Sequence, residues 1–151
     1  VSVSSSESYN ESRHIAPGSE PLAVDALGLT LGITICYDLR FPELYRRLAV
    51  AGAELFTIPS AFTVPTGRAH WHTLLRARAI ENLAWVVAPA QVGEHTSGRQ
   101  TFGHSLIIDP WGAIVAECAG GPGVIFAQLD RNNAAQRRQQ FPALAHRVLD
   151  C

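Results

Sequence analysis

This sequence contains no lysine and no methionine, so all 12 of its cationic residues are arginine. Because methionine is missing even at position 1, we expect the 151 residues to be a piece of a longer polypeptide. Charged residues are few, at 17%, and the formal net charge is −1. A nucleic-acid-binding protein would carry a basic excess, and a disordered chain would not reach 47% apolar residues. The composition predicts one globular domain, or part of one, with no nucleic-acid partner.

Cysteines are also scarce. Cys36, Cys118 and Cys151 form an odd, widely spaced set, which excludes a disulfide framework and favours free thiols in a reducing, cytoplasmic setting. No apolar run approaches the roughly 20 residues that a membrane-spanning helix needs. The first residues, VSVSSSESYNESRH, have neither the basic nor the apolar region of a secretory signal. We therefore expect no membrane partner.

The pattern of apolar residues predicts an α/β fold. Residues 1–21 are polar, which is typical of an irregular approach segment. From β-branched apolar runs and from helical spacing with caps, we expect strands at 29–37, 54–60, 85–92, 104–110, 113–118 and 123–130, a polar loop at 93–103, and helices at 42–51, 68–84 and 131–141. Strands alternate with helices first and then follow one another. This order predicts a mixed sheet with flanking helices and an antiparallel end.

Cys36 is the first candidate for chemistry. It ends a predicted buried strand, and the polar residues Tyr37, Asp38 and Arg40 follow at once. Ligands bind at the carboxyl ends of strands in open α/β sheets, and the next backbone N–H is placed to stabilise an oxyanion beside the sulfur. A free cysteine is more often a small buried apolar residue, so packing is the alternative. The polar residues that follow favour use of the thiol.

A nucleophilic cysteine needs a base, and histidine is the usual choice. The sequence offers six: His14, His70, His72, His95, His104 and His146. None has a spacing that forces a role, and Cys118 lies in a predicted hairpin strand where it indicates packing. His70 and His72 face different sides of a helix, and no CxxC, HxxxH or HExxH motif is present. We therefore expect no metal site.

Carboxylates are the other candidate bases, because burial beside an apolar pocket can tune a glutamate towards neutral pH. The candidates are Glu11, Asp38, Glu43, Glu54 and Glu81. Glu43 and Glu81 have positions typical of charges on a helix face, and since Glu81 follows Arg76 and Arg78, an Arg–Glu pair on the helix is the ordinary expectation. Glu11 lies in the polar segment, where a solvated side chain is the ordinary expectation.

The run GITICYDLRFPELYR, residues 32–46, resembles the cysteine signature of the nitrilase superfamily, the carbon–nitrogen hydrolases. YNESRHIAPGSEP resembles the family's approach segment. Four further runs resemble the family's later strands, its substrate loop and the helix that follows that loop: IPSAF, HWHTLLRARAIEN, AQVGEH and TFGHSLIIDPWG. The resemblance runs from about Tyr9 to His146, and within the superfamily it is strongest to the branch of deaminated-glutathione amidases.

The resemblance implies a four-layer α-β-β-α sandwich, of which residues 1–151 are the C-terminal half, with 1–21 as the approach segment and 22–151 as sheet and helices. It implies a homo-oligomeric amidase that takes a small-molecule amide and uses no cofactor. It implies Cys36 as the nucleophile, Glu11 as the second of the family's two catalytic glutamates, and the Tyr37 N–H as an oxyanion donor. The substrate pocket would be lined by the loop Ser60, Ala61, Phe62 and Thr63.

The sequence departs from the family in one respect. The family's catalytic lysine and its first glutamate come from the N-terminal half of the domain, and this chain has no lysine. Arginine does not freely replace lysine, because its charge is delocalised and its pKa does not adjust. We therefore expect an amide hydrolase that is inactive as this piece alone. Two alternatives stay open: a non-catalytic truncated module that only packs or dimerises, and acyl transfer to an amine through the same thioester.

Overall fold

The computed structural model of the protein describes residues 2–4, 7–8, 13–96 and 98–149. The strands are β1 (Ser2–Ser4), β2 (Glu7–Ser8), β3 (Leu22–Ala26), β4 (Leu29–Ile33), β5 (Leu55–Thr57), β6 (Trp85–Ala88), β7 (Val92–Glu94), β8 (Gln100–Phe102), β9 (Ser105–Ile108) and β10 (Ile114–Cys118). The α-helices are α1 (Pro42–Val50), α2 (Val64–Thr66), α3 (His72–Asn82) and α4 (Arg131–Gln140). A 3₁₀ helix (Cys36–Arg40) precedes α1, and a π-helical turn (Gly67–Trp71) joins α2 to α3.

Six strands form one mixed sheet in the order β10-β9-β6-β5-β4-β3. β4, β5 and β6 are parallel to one another, whereas β3 pairs antiparallel with β4 at one edge. β9 pairs antiparallel with β6, and β10 forms an antiparallel hairpin with β9 at the other edge. The predicted mixed sheet and its antiparallel end are confirmed. The carboxyl ends of β4, β5 and β6 meet at one side of the sheet, because these strands are parallel.

Helices flank both faces of the sheet. Successive residues of a strand point to opposite faces, so Phe56 and Val86 join the larger core with α1 and α3, while Leu55 and Trp85 join a smaller cluster with Ala134 of α4. The larger core includes Leu48, Trp71, Leu75, Leu106 and Ile108, all almost fully buried. On this face of the sheet, α1 and α3 therefore pack against the strands.

The predicted strand at 123–130 is wrong. Within the described residues, this segment has no strand, although its burial alternates along the chain. Ile125, Ala127 and Leu129 pack on the cluster around Leu55 and Trp85, whereas Val124 and Phe126 are 77% and 85% exposed. The segment therefore packs one side on this cluster without pairing with a strand in the described part of the chain. A period of two reports alternating burial and does not by itself report hydrogen bonding to a neighbouring strand.

Three element boundaries and two strand pairs also differ from prediction. The strand predicted at 85–92 ends at Ala88 because Pro89 has no N–H to donate to a ladder, and the predicted polar loop that follows contains the antiparallel pair β7–β8. The helix predicted to begin at 68 begins at Val64, with Pro65 in its first turn, where proline is well tolerated. The strand predicted at 29–37 ends at Ile33. Part of the segment predicted as irregular forms the antiparallel pair β1–β2.

Candidate active site

Cys36 lies where β4 meets β5. The chain leaves β4 after Ile33, and Cys36 begins the 3₁₀ helix with a φ of +44°, a conformation uncommon for a side chain with a Cβ. Its N–H donates to the carbonyl oxygen of Pro59 at 2.9 Å, which links the carboxyl ends of the two strands. The side chain is half-buried and packs against the larger core. The thiol is therefore neither sealed in apolar packing nor fully exposed, at the edge where ligands bind in α/β sheets.

The turn that carries Cys36 is held by hydrogen bonds at both ends. The Asp38 carboxylate accepts the N–H of Ile35 at 2.9 Å, and the Asp38 carbonyl accepts the N–H of Phe41 at 3.0 Å. The next residue, Pro42, begins α1, where its fixed φ suits the first helical turn. Tyr37 is 42% exposed, and its ring meets that of Phe41 edge-on, with centroids 5.5 Å apart. The geometry of the turn is thus set largely by its own residues.

A buried arginine fastens this turn to α3. Arg78 is 4% exposed, and its Nε and Nη2 donate to the Leu39 carbonyl at 3.1 and 2.9 Å. Its Nη1 donates to Glu81 Oε1 at 2.8 Å, which confirms the predicted helix ion pair. The guanidinium also lies 5.3 Å from the ring centroid of Tyr45. Because Leu39 itself is fully buried, Arg78 satisfies a carbonyl that water cannot reach.

Tyr45 supports the same region from α1. The side chain is fully buried, and its hydroxyl hydrogen-bonds Thr34 Oγ1 at 2.9 Å, just before Cys36 in the chain. Burial raises the pKa of Tyr45, and the hydrogen bond with Thr34 only partly offsets that rise. The phenol therefore stays protonated, and its hydrogen bond with Thr34 links α1 to the residues just before Cys36.

The predicted substrate loop follows β5 and lies beside the Cys36 turn through the Pro59 carbonyl. The Ser60 hydroxyl is turned inward and donates to the Ile58 carbonyl at 3.1 Å, and the Ala61 carbonyl accepts a hydrogen bond from Arg99. Phe62 and Thr63 are 7% and 6% exposed, respectively. Ser60, Phe62 and Thr63 are thus mostly buried, and their predicted contact with substrate stays a prediction.

Arg40 and His70 form a basic pair beside this loop. Arg40 Nη1 lies 3.3 Å from His70 Nδ1, and its guanidinium is 5.6 Å from the Tyr37 ring centroid and 5.2 Å from that of Phe62. Sequence spacing did not connect Arg40 with His70, which are 30 residues apart. Their contact results from the packing of the π-helical turn against the Cys36 turn.

Glu11, predicted to move protons beside Cys36, lies outside the described residues, as do Tyr9 and Cys151. The contact between Cys36 and Glu11 therefore stays a prediction. Cys36 and Cys118 are both free thiols, and Cys118 is half-buried in β10. Its sulfur lies 3.7 Å from the Gly121 carbonyl oxygen, with no nucleophile–base arrangement among its hydrogen bonds in the described part of the chain.

A second polar cluster lies on three elements outside the Cys36 turn. His72 Nε2 is 3.0 Å from Glu117 Oε1, and His104 Nδ1 is 2.6 Å from the same oxygen. The hydrogen bond from His104 lowers the pKa of the Glu117 carboxyl, partial burial opposes this, and the contact with His72 lowers it further. The His104 ring bonds this carboxylate, and the His104 backbone carbonyl accepts the Trp71 indole N–H at 2.7 Å.

The sequence model of the carbon-nitrogen hydrolase family matches residues 4–139. The chain belongs to the carbon–nitrogen hydrolase family. A curated relative, the deaminated glutathione amidase of Synechocystis sp., is 48% identical over 151 residues, which cover 98% of this chain and 55% of the relative. The chain therefore spans about half the length of the curated relatives it matches.

Solved structures of carbon–nitrogen hydrolases agree with the fold. The NitFhit protein of C. elegans matches 98% of this chain and 36% of its own, with a TM-score of 0.91 and 45% identity. A variant of the amidase from Nesterenkonia sp. AN1 matches 86% of this chain and 49% of its own, with a TM-score of 0.73 and 30% identity. In that variant the acetamide moiety of fluoroacetamide is covalently attached at the active site cysteine. These similarities confirm the superfamily and the α/β fold predicted from the cysteine signature.

In the described part of this carbon–nitrogen hydrolase chain, no helix is long and apolar enough to cross a membrane.

Proposed function

We propose that this chain carries the nucleophile of an amidase that hydrolyses a carbon–nitrogen bond of a small linear substrate through a cysteine thioester. The observation that carries the proposal is Cys36, a half-buried free thiol at the carboxyl end of β4, in a turn held by the Pro59 carbonyl and the Asp38 carboxylate. The relatives named deaminated glutathione amidase support an amide as the substrate class.

In the proposed reaction the Cys36 sulfur attacks the amide carbon and forms a C–S bond while the thiol proton passes to Glu11. The carbonyl electrons move to oxygen, where the Tyr37 N–H donates, because the first N–H groups of a helical turn have no partner within the turn. The C–N bond then breaks, and the nitrogen leaves as ammonia with the proton from Glu11. Water attacks the thioester, gives a proton through Glu11 to the sulfur, and releases the carboxylic acid.

The proposal includes the 60–63 loop as a pocket lining, a homo-oligomeric assembly and a cytoplasmic location. The free thiols of Cys36 and Cys118 support a reducing compartment. The family's lysine and first glutamate are not supplied by these 151 residues, which contain no lysine. We therefore expect the chain alone to release no ammonia.

The same absence of lysine favours one other function, a non-catalytic module that packs or dimerises. Acyl transfer is a variant of the first proposal, since an amine in place of water would resolve the same thioester. Adding hydroxylamine to the assay separates the two: a transferase forms hydroxamate at the expense of acid, whereas a strict hydrolase does not.

The deciding experiment expresses the chain together with any coding sequence upstream of Val1 and measures ammonia release from small linear amides. Cys36→Ala is expected to reduce the rate by at least about 10³-fold, because the nucleophile is lost. Cys118→Ala, the matched control at the other described thiol, is expected to retain activity. Ammonia release that survives Cys36→Ala would overturn the proposal.

Alkylation by fluoroacetamide, followed by peptide mass mapping, separates the amidase from the non-catalytic module in the same preparation. The amidase predicts faster labelling of Cys36 than of Cys118 and of free cysteine at neutral pH. Equal labelling of Cys36 and free cysteine, together with no ammonia release, supports the module.

A further inference from the structure

We propose that His72, His104 and Glu117 bind a divalent transition-metal ion, with Zn²⁺ as the preferred occupant. His72 lies at the start of α3, His104 in the loop before β9, and Glu117 in β10. One ligand atom from each residue, two imidazole nitrogens and a carboxylate oxygen, lies within 4.8 Å of the others. This site does not use Cys36 and does not depend on the proposed amidase activity.

The distances suit a metal ion with little rearrangement. The two nitrogens already lie 3.0 and 2.6 Å from Glu117 Oε1. Tetrahedral bonds of about 2.0–2.1 Å would place neighbouring ligand atoms roughly 3.4 Å apart. The two contacts with Glu117 therefore need to lengthen by less than an ångström, and the two nitrogens lie within 4.8 Å of each other, so the ion takes the place of the hydrogen bonds to the carboxylate.

The two histidine rings are already oriented by packing. The His104 ring stacks on Phe102, with centroids 4.1 Å apart and planes 21° apart, and the His72 ring lies edge-on to both. The backbone of His104 has a φ of +59°, and its carbonyl is tied to the indole of Trp71. A residue other than glycine adopts this conformation at a cost, and here it directs the ring towards Glu117. Pre-oriented ligands bind a metal more tightly, because less freedom is lost.

The chemistry of the donors favours zinc over magnesium or calcium. Two neutral imidazoles and one carboxylate are a borderline-soft set that suits Zn²⁺, Cu²⁺ and Ni²⁺, whereas Mg²⁺ and Ca²⁺ prefer oxygen alone. Three protein ligands leave a position for water or for a ligand group. The three side chains are 24–34% exposed, so an ion has access. His104 also lines a cavity of about 390 Å³ with Gln91, His95 and Cys118, which provides space beside the site.

Titration of the purified protein with ZnCl₂, followed by calorimetry at neutral pH, tests the proposal. We expect one saturable site with a dissociation constant in the micromolar range or below. His72→Gln, Glu117→Gln and His104→Asn are each expected to weaken binding by at least about 10-fold. Asparagine is chosen at position 104 because it tolerates positive φ. The matched controls His70→Gln and Glu94→Gln, at exposed residues outside the cluster, are expected to bind as the parent does.

Cobalt provides a readout that a simple loss of folding would not imitate. Co²⁺ in the site is expected to give the strong visible absorption of four- or five-coordinate nitrogen and oxygen ligation, which each of the three variants removes while circular dichroism is unchanged. An intense ultraviolet sulfur-to-cobalt band would assign the ion to a cysteine and overturn the proposal. No saturable zinc binding up to about millimolar concentration would do so as well, since a hydrogen-bonded cluster without an ion predicts that result. Binding that survives all three substitutions would also overturn it.

Discussion

Replacing Arg78 should destabilise the fold more than replacing its neighbour on the same helix. Arg78→Met removes two hydrogen bonds to the Leu39 carbonyl and one to Glu81. Hydrogen bonds from a charged donor contribute about 1.5–3 kcal/mol, and a buried acceptor left without a partner costs about 1–3 kcal/mol. Because both bonds to Leu39 share one acceptor, the terms overlap. We expect a loss of about 3–5 kcal/mol in the free energy of unfolding, the usual result of removing one partner from a buried charged contact.

Two further substitutions at α3 sharpen this prediction. Arg78→Lys keeps the charge but not the planar fork that reaches both Leu39 and Glu81, so about half the loss is expected, roughly 1.5–3 kcal/mol. Arg76→Met is the matched control: Arg76 is exposed, and its Nε donates to the Gly112 carbonyl at 2.9 Å. Its expected cost is about 1 kcal/mol.

Urea denaturation followed by far-ultraviolet circular dichroism measures these differences, provided that the slope m is the same for all variants. For a chain of 151 residues, a loss of about 3–5 kcal/mol lowers Tm by roughly 6–20 °C. If Arg78→Met and Arg76→Met unfold at the same denaturant concentration, the hydrogen bonds from Arg78 to the Leu39 carbonyl do not contribute the expected free energy of unfolding, and the reasoning is refuted.

Two other substitutions test packing and pH dependence. A Cβ at Gly32 would lie 2.8 Å from Phe56 Cδ1 in the core, so Gly32→Ala should destabilise by about 1–3 kcal/mol. At Gly18 a Cβ meets nothing within 4 Å, so Gly18→Ala should stay within about 0.5 kcal/mol of the parent in the same assay. Burial raises the pKa of Tyr45, so its contribution to stability is full below about pH 10 and is lost above it, as the unfolded chain ionises, by up to about 1.4 kcal/mol per pH unit. Urea midpoints from pH 9 to 11 should therefore fall less steeply for Tyr45→Phe than for the parent or Tyr37→Phe, and parallel slopes would contradict this.

The local sequence pattern was sufficient to predict the helices and strands that bury one face. The helix from Pro42 and the polar helix from Arg131 begin where predicted, and the hairpin β9–β10 forms where two apolar runs flank a Pro-Trp-Gly turn. The pattern failed at 123–130, where alternation is present but the backbone pairs with no strand in the described residues. Alternating burial depends on which surface a segment lies against, and that surface is assembled from other parts of the chain.

The two candidate sites also differ in whether the sequence alone could predict them. The turn at Cys36 could be located from the sequence, because Cys36, Tyr37 and Asp38 are adjacent in the chain and belong to a run that resembles a known signature. The cluster of His72, His104 and Glu117 could not, since its members are 45 and 13 residues apart along the chain and match no ligand motif. The expectation of no metal site considered only neighbours in sequence.

The sequence by itself determined the family, the alternation of strands and helices from β4 to β6 with the hairpin β9–β10 after it, and the position of the thiol at the end of a strand, because each of these depends on residues close together in the chain. Only the tertiary structure decided that Arg78 fastens the Cys36 turn, that Arg40 meets His70, and that two histidines converge on Glu117. Hydrogen bonds and metal coordination act over about 2–3 Å and do not depend on separation along the chain. They form only when the helices and strands that carry these residues have packed together.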